Sequence, residues 1–125
     1  MASNPLDAYL NVEKSTLSGR ELEAFVLSKA AVKLQEAQLR WQEADHEDLL
    51  DEALKFNQRV WSFFQSELTQ ADNPLPEEIR QNILSLSVFV DRRIFEVMAY
   101  PAPEKLDILI SINRNIAAGL RGDDG

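Results

Sequence analysis

Between Leu75 and Leu120 the chain carries two apolar stripes of helical period, separated by a proline-bracketed break. In the first, Ile79, Ile83, Leu86, Val90, Ile94 and Val97 recur at steps of three and four, which places them on one face of an α-helix. Leu84, Val88 and Phe95 widen that face, so this helix is expected to be the most buried of the chain. In the second, Leu106, Leu109, Ile110, Asn113, Ile116, Ala117 and Leu120 repeat the pattern. Tyr100-Pro101-Ala102-Pro103 interrupts them, because proline lacks an amide donor and holds φ fixed. Polar residues stay beside or within the stripes: Arg80, Asn82, Asp91, Arg92, Asn113 and Arg114.

The rest of the chain reads in the same way. Asn4-Pro5 suits the entry of a short helix reaching to Lys14. Ser18-Gly19-Arg20-Glu21 has capping-box spacing, in which serine and glutamate satisfy each other's orphan amides. Behind it Leu22, Phe25, Val26, Ala30, Leu34, Ala37 and Trp41 predict a long helix over 19–43. The acidic run Asp45 to Asp51 suits the start of another, where carboxylates meet the positive end of the helix dipole. Its stripe is Leu50, Ala53, Leu54, Asn57, Val60, Trp61, Phe64 and Leu68. Asn73-Pro74-Leu75-Pro76 breaks the pattern, and Gly122 is the expected final stop. The fold class expected is all-α: an antiparallel helical bundle of four long helices plus a short N-terminal helix. One domain over 1–125 is expected, with an arm over 1–17, the bundle over 18–120 and a flexible tail over 121–125.

Composition narrows the chemistry. The absence of cysteine removes disulfides, thiolate metal sites and cysteine nucleophiles. The first residues have neither a charged lead nor an apolar core, so no secretory signal is expected. No run of about 18 apolar residues occurs, so no membrane insertion is expected. A formal net charge of −8 repels phosphate, so nucleic acid is not expected as a direct ligand.

No catalytic constellation is visible, and the expected function is non-enzymatic, without cofactor or metal. Glu43-x-x-His46 has the spacing of a helical di-iron half-site, but such a site needs two copies and further glutamates, and the chain has one histidine. The glycines are too scattered to cradle phosphate. Asp91-Arg92-Arg93 is the one adjacent basic pair. Arg20, Arg40, Arg59, Arg80 and Arg114 are dispersed, and ion pairing with the 21 acidic residues is the simpler use for them.

Asn57 and Asn113 lie inside apolar stripes, where an unpaired buried amide costs about 1–3 kcal/mol, so each needs a partner. A register-fixing bond between helices would supply one. A groove in which the amide pins a bound backbone would supply another. Phe63 and Phe89 fall away from the main stripes, as part either of a second packing layer or of a partner surface.

These residues also carry a resemblance. Leu75-Pro76, Glu78, Arg80, Asn82-Ile83 and Leu86, then Phe89-Val90-Asp91-Arg92, then Leu109-Ile110, Ile112-Asn113-Arg114, Ile116-Ala117 and Gly119-Leu120 resemble the C-terminal half of the FlaF family of flagellar biosynthesis regulators. Ala8-Tyr9, Ser18 to Glu23, Lys29-Ala30-Ala31, Ala53-Leu54, Asn57-Gln58-Arg59 and Trp61 are similar to its N-terminal half. Only Gln42 to Leu50 and the last residues lack a distinctive match. Ala8-Tyr9 with Thr16 to Leu22 also resembles, more weakly, the opening of the flagellin export chaperone FliS.

The resemblance implies a cytoplasmic protein of flagellum biogenesis that binds flagellin as a secretion-chaperone-like adaptor and couples flagellin translation to export. Flagellin is the implied partner, with the regulator FlbT beside it. The alternatives are action on flagellin mRNA, or a scaffold for FlbT that never touches flagellin. The partner-binding residues expected from family motif and chemistry together are Arg20, Asn57, Trp61, Arg80, Phe89, Asn113 and Leu120.

Overall fold

The computed structural model describes residues 19–122. Four α-helices account for most of them: α1 (Gly19–Leu39), α2 (His46–Leu68), α3 (Glu77–Ala99) and α4 (Asp107–Arg121), with a 3₁₀ turn at Pro103–Leu106. No strand occurs among the described residues. The expected short N-terminal helix, the Ser18 half of the capping box and the end of the tail lie outside them.

α1 is the central helix, packed against α2 on one side and α4 on the other. Its apolar stripe is correspondingly wide, burying Leu22, Ala24, Val26, Leu27, Ala30, Ala31, Leu34 and Ala37. Lys33 reaches Glu52, and Ala30 lies across from Asn57, so α1 and α2 run antiparallel. Gln38 donates to Asp107, and Arg121 to Ser28, so α1 and α4 do as well. α3 lies on α2, with Gln65 donating to Asp91 across the seam.

α1 ends four residues earlier than its apolar period suggests. Arg40 donates to Glu36, Glu43 and Asp45 and clips the chain into successive turns. Trp41 therefore lies beyond the helix end, partly buried against the core, and packs its ring against His46, with centroids 5.3 Å apart. α2 follows, with Glu47 and Asp48 in its first turn and all eight stripe residues buried.

The Asn73 to Pro76 break is built from side chains. The Asn73 carboxamide accepts from the Leu75 amide and donates to the Glu67 carbonyl. Arg80 reaches back from α3 to the carbonyls of Leu68 and Gln70, which the end of α2 leaves without helical partners. The last helix does not begin at Pro103, as expected, but after a 3₁₀ turn that buries Leu106. Gly122 closes α4 with φ 78°, its amide donating to Ala118 and Gly119.

One expectation is reversed. α3 is the least buried helix rather than the most: it hides only Ile83, Ser87, Val90, Ile94 and Val97, while Val88 is 51 % exposed and Phe95 62 %. The reason is placement at the edge. α3 leans on α2, and touches the 3₁₀ turn, but does not pack along α4.

Candidate functional site

Because α3 and α4 are joined at one end and unpacked along their length, a groove opens between them. It encloses about 490 Å³. α3 lines it with Ile79, Asn82, Ile83 and Leu86, and α4 with Asn115, Ile116, Gly119 and Leu120. Leu75 and Pro76 close the floor at the α2–α3 break, and Arg20 reaches the rim from the first turn of α1. The lining is thus mainly aliphatic, with two carboxamides and one guanidinium.

The apolar character runs beyond the groove. Phe89 lies three residues past Leu86 on the same side of α3, 40 % exposed, with the Arg93 guanidinium over its ring. On α4, Ile112 and the 39 %-exposed Ile108 extend the Ile116 side. Gly119 leaves further room: a Cβ added there would meet no atom of the described residues within 4 Å. A glycine inside a helix costs roughly 0.5–1 kcal/mol relative to alanine, and no packing among the described residues accounts for this one.

Beside the rim lies a smaller cleft lined by Arg20, Glu23, Glu67, Asn73 and Leu75, among others. Burial first, and repulsion from Glu67 second, push the Glu23 carboxyl up to about 7, against the pull of Arg20. Arg20 borders both cavities. It has no hydrogen bond or close ion pair among the described residues.

The residues expected to bind a partner separate into three groups. Arg20 and Leu120 line the groove, and Phe89 stands on the continuation of its wall. Asn57, Trp61 and Asn113 are buried and bonded to one another. Asn57 Nδ2 donates to the carbonyls of Ala30 and Ala53, at 3.2 and 2.8 Å. Asn113 Nδ2 donates to Asn57 Oδ1 at 2.7 Å, and Trp61 Nε1 donates to Asn113 Oδ1 at 2.9 Å. This network ties α1, α2 and α4 in register and offers no surface. Arg80 holds the α2–α3 break, and its Nε is buried without a partner among the described residues.

Ile79, Asn82, Asn115, Ile116 and Gly119 were not among the residues expected to bind a partner. Ile79 and Ile116 read as core because periodicity marks an apolar face without saying what covers it. Gly119, a glycine inside a helix, was the one local signal.

The other candidate chemistry does not converge. The Glu43 carboxylate is held by Arg40, and the His46 ring packs on Trp41. No cluster of three His, Cys, Asp or Glu side chains suited to a metal occurs among the described residues. Arg40 and Arg80 bond at opposite ends of the bundle. Among the described residues no helix is long and apolar enough to cross a membrane.

Comparison with known proteins gives one match. A family model described as "Flagellar protein FlaF" fits residues 5–120. No curated protein and no solved structure matches the chain.

Proposed function

The chain belongs to the FlaF family of flagellar proteins, and from that premise we propose that it is a non-enzymatic, cytoplasmic regulator that binds flagellin as a secretion-chaperone-like adaptor. In this reading it couples flagellin translation to export. The observation that carries the proposal is the α3–α4 groove, aliphatic within and polar at its rim.

Such a groove suits an amphipathic helix. Its α3 wall runs from Ile79 to Leu86, about two helical turns, and Phe89 adds a third at about 5.4 Å per turn. Apolar anchors on one face of a guest helix, three or four residues apart, can seat between such walls. Flagellin termini are helices of this kind, which self-associate when left uncovered. The dispersal of the arginines between separate partners favours a protein ligand over flagellin mRNA.

A second partner face has its own support. Val88 and Phe95 are exposed on the side of α3 roughly opposite the groove wall. That face is available to FlbT while flagellin occupies the groove. Calorimetric titration with monomeric flagellin, and with flagellin lacking its terminal helices, tests the proposal. Saturable binding to the first and none to the second is expected. Equal binding to both would refute the helix-in-groove reading.

A further inference from the structure

Resting on the groove as a helix-binding site, we infer that Arg20 selects for a carboxylate on the guest helix, and that Glu23 competes with that carboxylate for Arg20. Among the described residues the groove lining contains one charged side chain, and it is Arg20. Every other lining group among the described residues is aliphatic or a neutral amide, so a guest with a bare apolar face would offer this cation no countercharge from the groove side. A carboxylate beside the guest's apolar face would supply one, in a charge-assisted bond shielded on the groove side.

The neighbouring cleft explains how Arg20 is held ready. Glu23 lies one helical turn along α1 from Arg20 and faces Glu67 of α2. α3 contributes Arg80, which is engaged by the carbonyls of Leu68 and Gln70. Asn73 of the break is neutral, and α4 lends no residue to the cleft lining. Gln70 donates to Glu67. Glu23 is thus the group whose charge varies near neutral pH: burial and Glu67 push its carboxyl up to about 7.

When Glu23 is ionised it attracts Arg20 towards the cleft. When it is protonated that pull is gone, and the guanidinium is free for the groove. Binding of an acidic guest and protonation of Glu23 therefore favour each other. A guest without the carboxylate feels neither effect.

The test uses the full chain and synthetic amphipathic helices that share one leucine and isoleucine face. In one set a single glutamate is moved turn by turn along the edge of that face; in the other the same positions carry glutamine. Fluorescence anisotropy gives affinity, and methyl NMR shifts of Ile79 and Ile116 report groove occupancy.

At pH 6 the best glutamate peptide should bind about tenfold tighter than its glutamine twin. The gap should shrink at pH 8, persist there in Glu23→Gln, and vanish at both pH values in Arg20→Gln. Twins of equal affinity that still shift the Ile79 and Ile116 methyls would overturn the inference while leaving the groove reading intact. A gap that Arg20→Gln does not remove, or that pH leaves unchanged, would overturn it also. If no peptide shifts those methyls, the groove reading fails and the inference with it. Two other sources of carboxylate would equally count against it. One is a second copy, revealed by a wild-type dimer that Arg20→Gln dissociates. The other is the chain's own Asp7 or Glu13, revealed by tighter binding of both twins to an Asp7→Asn, Glu13→Gln double variant.

Discussion

The side-chain amide of Asn113 donates to the side-chain oxygen of Asn57 at 2.7 Å, across 56 positions of sequence, and thereby locks α4 to α2 inside the core. Trp61 completes the arrangement by donating to the oxygen of Asn113. Substituting Asn113→Ala would orphan the Asn57 oxygen and the Trp61 indole N–H together. Each orphaned group costs about 1–3 kcal/mol. Urea denaturation should show that loss with an unchanged slope, and a double-mutant cycle with Asn57→Ala should show strong coupling. Additive losses would mean that the two amides act separately.

Trp61 is wholly buried and packs its ring against Phe64, with centroids 5.9 Å apart. Trp61→Ala should destabilise the protein by about 3–5 kcal/mol. Any loss of flagellin binding should then track the unfolded fraction. A variant that keeps its melting temperature yet loses binding would place Trp61 at the interface instead.

How much of this was legible in the sequence varies from helix to helix. The α2 stripe from Leu50 to Leu68 could be read residue by residue, because α2 turns one face to its neighbours and the 3.6 period reports such a face directly. The width of the α3 stripe misled. Val88 and Phe95 were read as widening that stripe, yet at 3.6 residues per turn they fall on its far side, which no helix among the described residues covers. Asn57 and Asn113 were visible as amides needing partners, but pairing them required knowing which helices adjoin. The groove arises from α3 and α4 diverging after a tight connection, an angle that no local residue pattern encodes.

Glu23 sets a pH dependence of stability. Its folded-state carboxyl titrates near 7, above the ordinary 4.5, so between those values the folded chain holds a proton that the unfolded chain has released. That contribution is present at acid pH and is lost as pH rises towards and through 7. Glu23→Gln should therefore raise the melting temperature at pH 8 more than at pH 5. Scanning calorimetry at both values decides the matter, and an equal shift at each would deny the linkage.

Gly119 separates stability from function. Gly119→Ala places a methyl where no atom of the described residues lies within 4 Å, and alanine is the better helix former by about 1 kcal/mol. The variant should melt at a higher temperature than the parent. It should also bind flagellin more weakly, because the added methyl projects into the groove. Gains in both properties would show that nothing approaches α4 closely at this position.

The most direct test of the flagellin-binding account fills the groove outright. Gly119→Trp projects an indole into open space, and thermal unfolding should confirm a folded protein. Isothermal titration with monomeric flagellin should then give saturable binding to the parent chain and none to the variant. Undiminished flagellin binding by folded Gly119→Trp would contradict the account.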